Sequence, residues 1–216
     1  MKRMKLCKAL SVPLVATFLA ASPLAIMPSP TGAQAVEAAE QQAINLVDQL
    51  GQRAVKLLSD GSLDEDAKRE GFSNLVNDGF DMDLIGKFVL GKYRRQTSPE
   101  QLQEFLSLFD TYMITTYQKR IGEYAGENLE ILKAKPLNKK EILVNSQIIR
   151  PAGPPIKLDW RVRKSNSGDL KIIDLIVENV SMAITHRDEF SSVISNNGKG
   201  VDGLIETLKS HIAAAQ

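Results

Sequence analysis

Side chains that could carry out catalysis or bind a metal ion are few in this 216-residue chain. It contains two histidines, His186 and His211, and one cysteine, Cys7. The histidines do not have metal-ligand spacing, and the sequence has no Gly-x-Ser-x-Gly motif of the kind that presents a nucleophilic serine. We therefore expect no catalytic residue, no metal ion and no cofactor.

Asp174 and His186 are the polar residues that keep an enzymatic function open. Asp174 lies within an apolar segment, and an acidic group in such a place can be catalytic. The structural interpretation is that backbone donors or an arginine satisfy its carboxylate. We expect His211 to be a solvated surface residue of the terminal helix.

A Gly-x-Gly-x-x-Gly pattern spans residues 198–203. The nucleotide-binding motif with this spelling follows a strand and opens a helix. Here the pattern follows a helical segment and the pair Asn196-Asn197. It therefore predicts the end of one helix and the start of the next, not a nucleotide site.

The first 35 residues are typical of a secretory signal peptide. Residues 2–8 carry four basic side chains, an apolar run follows to Ile26, and Ala33-Gln34-Ala35 has the small-x-small pattern that signal peptidase recognises. We predict cleavage before Val36, export of the mature chain, and a single domain over residues 36–216. Cys7 leaves with the signal, so the mature chain has no thiol for disulfides or nucleophilic catalysis.

The predicted mature chain is slightly acidic. Loss of the four basic residues leaves 23 basic against 26 acidic side chains. A nucleic-acid-binding domain needs a basic footprint, so we expect no nucleic-acid partner.

Apolar spacing predicts a helical first half, a meander of strands, and two closing helices. Predicted helices cover residues 36–58, 64–76, 82–90, 98–124, 181–194 and 201–212, and predicted strands cover 128–133, 141–150, 155–164 and 169–178. In the third strand Ile156, Leu158, Trp160 and Val162 alternate with charged residues, which indicates one covered face and one wet face. The fold class is therefore α+β: a curved antiparallel sheet of about four strands, its apolar face covered by helices.

Two separated blocks resemble the signatures of the Ttg2D/MlaC family of Gram-negative periplasmic phospholipid-binding proteins. The first runs from Phe80 to Gln101 and includes Leu90-Gly91-Lys92-Tyr93 before a capping box; the second runs from Leu170 to Phe190. The chain departs from the family pattern at Arg94, where tryptophan is usual, and at Asn179, where glycine is usual. The resemblance implies a fold similar to nuclear-transport-factor and cystatin-like domains.

This resemblance implies a periplasmic location and a function in lipid transport. Such a carrier holds phospholipid acyl chains in an apolar cavity and passes them between an outer-membrane lipoprotein complex and an inner-membrane ABC transporter, docking transiently on each and maintaining outer-membrane lipid asymmetry. Three alternatives stay open: a carrier of another lipid such as a hopanoid, a periplasmic adaptor without a ligand, and an enzyme built around Asp174 or His186.

If the resemblance holds, apolar residues of helices and strands line the lipid site, although any one such residue is more often part of an ordinary core than of a ligand site. The predicted lipid-binding residues are Met82, Ile85, Phe88, Val89, Phe109, Met113, Tyr117, Ile148, Leu158, Trp160, Val162, Ile172 and Val177. A charged head group should stay near solvent because its burial is costly. The predicted head-group or docking rim is Lys92, Arg94, Arg95 and Arg187.

Overall fold

A computed structural model describes residues 32–121, 126–165 and 168–215 of the chain. Most of the predicted signal peptide lies outside these residues, so its cleavage stays a prediction. The helices are α1 (Gly32–Ser59), α2 (Glu65–Gly79), α3 (Met82–Val89), α4 (Pro99–Ile121), α5 (Met182–Asn196) and α6 (Val201–Ala214), with a 3₁₀ helix at Gly91–Arg95. The strands are β1 (Asn128–Pro136), β2 (Glu141–Ile149), β3 (Ile156–Lys164), β4 (Leu170–Val177) and β5 (Val180–Ser181).

The capping box predicted before α4 is present. The Ser98 hydroxyl accepts a hydrogen bond from the Gln101 N–H at 3.2 Å, and the Gln101 side chain accepts one from the Ser98 N–H at 3.0 Å. Two donors that a helix start leaves free are thereby satisfied. Pro99 occupies the first helical position, where the lack of an N–H costs nothing.

The sheet is an open antiparallel meander with the strands in chain order. The four predicted strands are correct in place and direction, and the α+β class is confirmed. The fifth strand was missed: it pairs with the end of β4 through a two-residue turn in which Glu178 and Asn179 have φ values of 47° and 69°. Asparagine tolerates this left-handed backbone better than most residues, which accounts for Asn179 at a position where the family usually has glycine.

Helix α1 and the sheet enclose one apolar core, here called the sheet cluster. Its buried members are Ala43, Val47, Leu50, Leu75, Ile142, Val144, Leu158, Trp160, Val162 and Ile172. The register places Trp160 between Val144 and Leu175 of the flanking strands. The alternation predicted for β3 is therefore confirmed, since its apolar residues share the covered face.

The opposite face of the sheet is less exposed than the prediction of a wet face implies. Glu141 and Asp159 are each only 4% exposed. The carboxylate of Glu141 accepts hydrogen bonds from Arg161 at 2.7 Å and from Arg163 at 2.6 Å. Burial disfavours ionisation of Glu141, but the two arginines together outweigh that effect and lower its pKa.

Helices α3, α4, α5 and α6 form a second apolar core, here called the helical cluster. Its buried members are Ile85, Val89, Leu90, Phe105, Phe109, Phe190, Ile194, Val201, Leu204, Ile205 and Leu208. Phe105 and Phe109 stack at 5.8 Å between ring centroids, and Phe190 meets both rings edge-on at 6.1 Å. None of the helices in the described part of the chain is long and apolar enough to cross a membrane.

Candidate functional site

Phe80 joins the two apolar cores. Its partly buried ring packs against both the sheet cluster and the helical cluster. Its backbone pairs with Ile172 of β4 as an isolated parallel bridge, and the next N–H, that of Asp81, donates to the Ile172 carbonyl at 3.0 Å. Asp81 then caps α3 by accepting a hydrogen bond from the Leu84 N–H at 3.0 Å. The start of α3 is thus fixed to the edge of the sheet.

An open groove lies beside this junction, between the end of α2 and helices α3 and α4. It has a volume of about 610 Å³ and is lined by Asn77, Met82, Asp83, Lys87, Pro99, Leu102, Gln103, Leu106, Ser107 and Asp110. Concave sites for small ligands usually have about 300–1,000 Å³. We call it the α3–α4 groove, and its size is sufficient for part of a lipid.

The apolar wall of the α3–α4 groove is continuous with the helical cluster. Met82, Leu102 and Leu106 line the groove and also pack against that cluster. The two helices approach closely at Gly86, where a Cβ atom would lie 2.5 Å from Leu106 Cδ2. A larger residue at this position would displace the end of the Leu106 side chain, which is part of the groove wall.

The polar wall of the groove carries three charged groups. Lys87 Nζ lies 3.1 Å from Asp83 Oδ2. Asp110 Oδ1 is shielded from solvent and has no hydrogen-bond partner among the residues that the structure describes. Burial raises the pKa of the Asp110 carboxyl. The groove therefore combines an apolar wall with one charge pair and one carboxylate without a hydrogen bond at Oδ1.

A second, smaller concavity lies between α1 and β1. Its volume is about 340 Å³, and it is lined by Asp48, Gly51, Gln52, Val55, Lys56, Ser59, Asn128 and Leu129. None of the predicted lipid-binding residues lines it. We do not assign it a ligand.

The predicted lipid-binding residues divide between the two cores. Met82, Ile85, Val89, Phe109 and Met113 belong to or pack against the helical cluster, and Ile148, Leu158, Trp160, Val162, Ile172 and Val177 belong to or pack against the sheet cluster. Of the first set, Met82 lines the α3–α4 groove. The two sets therefore belong to different cores, and Phe80 packs against both of them.

Phe88 and Tyr117 have other surroundings. Phe88 is 40% exposed, and the guanidinium carbon of Arg187 lies 5.0 Å from its ring centroid. The Tyr117 hydroxyl lies 3.0 Å from His186 Nε2, and His186 Nδ1 lies 3.0 Å from Glu189 Oε2. The Phe88–Arg187 contact connects α3 with α5, and the Tyr117–His186 contact connects α4 with α5.

The four cations of the predicted rim, here called the basic patch, lie on the 3₁₀ helix that follows α3 and on α5. Lys92, Arg94 and Arg95 lie in the 3₁₀ helix and are exposed, and none of them makes an ion pair within the described residues. Gly91, with φ of +54°, leaves room for Arg187, whose Cγ and Cδ would lie 3.4 Å from a Cβ there. None of these four cations lines the α3–α4 groove.

The carboxylate of Asp174 has a structural role, as the sequence interpretation expected. It is 3% exposed and accepts hydrogen bonds from the Ser181 hydroxyl at 2.6 Å and the Ala183 N–H at 3.0 Å. Arg161 lies farther away, at 3.9 Å. Asp174 therefore anchors the first turn of α5 to β4. His211 is exposed, as predicted.

Sequence reasoning missed four residues of the site: Phe80, Leu102, Leu106 and Asp110. Phe80 opens the first family block, but nothing in its spacing shows that it touches both cores. Leu102 and Leu106 follow the apolar stripe of α4, which does not separate a groove wall from a solid core. Asp110 has the spacing of a solvated helix face.

The model of the MlaC protein family matches residues 48–210, about three quarters of the chain. This chain belongs to the MlaC family. Among its relatives, the toluene tolerance protein ttg2D of Pseudomonas putida is 25% identical over 137 residues, which is 63% of each chain. The intermembrane phospholipid transport system binding protein MlaC of Haemophilus influenzae is 28% identical over 131 residues, 59% of this chain and 60% of the relative. The chain thus spans about three fifths of the length of these two MlaC-type relatives.

A solved structure has the same fold. It is the phospholipid-binding protein from Ralstonia solanacearum in complex with a phospholipid, with a TM-score of 0.68 and 24% identity, over 82% of this chain and 98% of that one. This agreement confirms the helix-and-sheet architecture expected for the MlaC family.

Proposed function

We propose that this protein is a periplasmic carrier that binds phospholipid and transports it between membranes. The main support for this proposal is an open, partly apolar groove beside the junction of two apolar cores. The chain that contains it belongs to the MlaC family. The phospholipid named for the Ralstonia protein and the transport system named for the Haemophilus protein support it. The function is binding and transfer, and no chemical reaction is proposed.

The proposed lipid site opens between the two cores at Phe80. Acyl chains enter through the α3–α4 groove and lie between the helical cluster and the sheet cluster, against the predicted lipid-binding residues of both. Met82 and Met113 suit such a site because methionine changes its packing at low cost. In the lipid-free form the predicted lipid-binding side chains pack against other side chains of the two cores, since Val89, Val162 and Ile172 are fully buried.

The energy of chain burial implies slow unaided release. Burial contributes about 0.8 kcal/mol per CH₂, so two chains with about 30 methylenes represent roughly 24 kcal/mol. Measured affinities do not exceed about 18–21 kcal/mol, so the separation of the cores and the ordering of the chains must consume part of this energy. Transfer therefore needs a docked partner that offers the chains a continuous apolar path.

The basic patch is the proposed docking surface for those partners. Arg94 and Arg95 are exposed and free of ion pairs in the described chain, and the exposed ring of Phe88 lies against Arg187 of the same patch. Charge and aromatic groups of this kind favour specific encounter with an acidic, partly apolar surface. The partners are an outer-membrane lipoprotein complex and an inner-membrane ABC transporter complex.

Organic extraction of the purified protein followed by mass spectrometry tests the function. We expect phospholipid in a stoichiometric ratio to protein. A hopanoid in the extract would replace phospholipid as the cargo, and an empty extract would refute the carrier function and favour a ligand-free adaptor. Rapid loss of lipid to dilute buffer, without a partner or a membrane, would refute the requirement for docking.

A further inference from the structure

The carboxylate of Asp110 is unusual among the acidic groups of the groove. Asp83 shares its charge with Lys87 at 3.1 Å, but Asp110 Oδ1 is shielded from water and lacks a hydrogen bond within the described residues. An acceptor in this state loses hydration without compensation. Burial accordingly raises the pKa of Asp110.

The charge of the groove wall favours a cation. Its charged residues are Asp83, Lys87 and Asp110, which gives one excess negative charge when all are ionised. The other polar residues, Asn77, Gln103 and Ser107, are neutral. A positively charged group that enters the groove therefore meets no net repulsion, and it meets one carboxylate whose Oδ1 has no hydrogen-bond partner among the described residues.

We propose that the α3–α4 groove selects lipids whose head group carries a primary ammonium, and that the Asp110 side chain turns into the groove so that its carboxylate accepts the hydrogen bond of this ammonium. The inference rests on the proposed lipid-carrier function and adds the class of head group. An ammonium supplies both the charge and the N–H donors that the carboxylate lacks, and such charge-assisted hydrogen bonds are stronger than neutral ones. The phosphate of the same head group would face Lys87.

The position of Asp110 suits a head group and not an acyl chain. It lies one helical turn beyond Leu106 and Ser107 along α4, and all three line the groove. Acyl chains can follow the apolar wall towards Phe80, while the polar wall remains open to solvent. The head group then stays near water, which avoids the cost of full burial of its charges.

A series of N-methylated lipids tests this inference because it removes donors and keeps the charge. The full chain is exchanged against excess vesicles with equal amounts of dioleoyl phosphatidylethanolamine, its N-methyl and N,N-dimethyl forms, and dioleoyl phosphatidylcholine. Mass spectrometry then gives the ratio of the bound lipids. Because only a ratio is read, the result does not depend on the fraction of protein that is folded.

We expect the wild-type protein to prefer the unmethylated over the trimethylated lipid by about tenfold, the size expected for one hydrogen bond to a charged group, with a stepwise decline along the series. D110N should reduce this preference to near unity. The matched control is E104Q, which removes a carboxylate from the same helix outside the groove, where Glu104 makes an exposed ion pair with Lys209.

Two results would overturn the inference. Equal binding of all four lipids by the wild-type protein would show that N–H donors are not recognised. A preference that survives in D110N, or that E104Q removes equally, would show that Asp110 is not the acceptor. A wild-type protein that binds no lipid would instead refute the proposed function itself.

Discussion

Replacement of Phe80 by alanine should cost more stability without lipid than with it. Deletion of a buried phenylalanine ring costs about 3–5 kcal/mol, and the value for Phe80 should be near 3 kcal/mol because the ring is only partly buried. A vacated volume of about 100 Å³ accounts for about 2.4 kcal/mol of this cost, at ~24 cal/mol per Å³. If acyl chains lie at the junction of the two cores, they fill that volume, so the cost in the loaded protein should fall to about 1 kcal/mol.

Urea unfolding of the lipid-free and lipid-loaded forms measures both costs. Thermodynamic linkage then requires F80A to bind lipid about 20- to 30-fold more tightly, since 1.4 kcal/mol corresponds to a factor of ten. The control is L208A, because Leu208 is 1% exposed and lies in the helical cluster on α6. Its cost should be the same in both forms. An equal cost of F80A with and without lipid would refute entry of the chains at the junction.

Three further predictions concern charged residues. E141Q should lower the free energy of unfolding by about 2–3 kcal/mol at pH 7, because it weakens the charge-assisted hydrogen bonds to two arginines. Because the pKa of Glu141 is lowered in the folded state, this loss should become smaller when urea titrations are carried out below about pH 4.5. D110N should stabilise the lipid-free protein at pH 7, because the raised pKa of Asp110 means that its ionised form is unfavourable in the folded state. In thermal melts this gain in stability should vanish below about pH 3.8, the ordinary pKa of an aspartate. A lower stability of D110N at pH 7 would contradict the prediction. R94E should keep bound lipid but weaken binding to the isolated transporter complex in low salt, measured by surface plasmon resonance, whereas K135E on the exposed end of β1 should have little effect.

The regular part of the fold could be predicted from sequence because its signals are local. The alternation of apolar and charged residues in β3 correctly predicted its covered face, and the capping residues Ser98 and Gln101 correctly predicted the start of α4. The fifth strand has only two residues, too few for a period to appear. The 3₁₀ helix at Gly91–Arg95 was also missed, since its basic, glycine-led sequence has no apolar stripe.

The site was less predictable because its properties come from contacts between distant segments. Leu106 and Phe105 are neighbours on one apolar stripe, yet the first lines the α3–α4 groove and the second is fully buried. The role of Phe80 depends on its pairing with Ile172, 92 positions later in the chain. Asp110 Oδ1 is shielded from solvent and has no hydrogen-bond partner among the described residues, and no pattern of residue types predicts that.

The position of the acyl chains can be measured through Trp160, the single tryptophan of the chain. Its side chain lies in the sheet cluster, where the indole N–H donates to the Ser146 hydroxyl at 2.9 Å. Bromine on an acyl chain quenches tryptophan fluorescence only at close range. Loading with phospholipid brominated in mid-chain should therefore quench Trp160 strongly, relative to the same lipid without bromine. Unchanged fluorescence in protein with stoichiometric brominated lipid would contradict a site between the helical cluster and the sheet cluster.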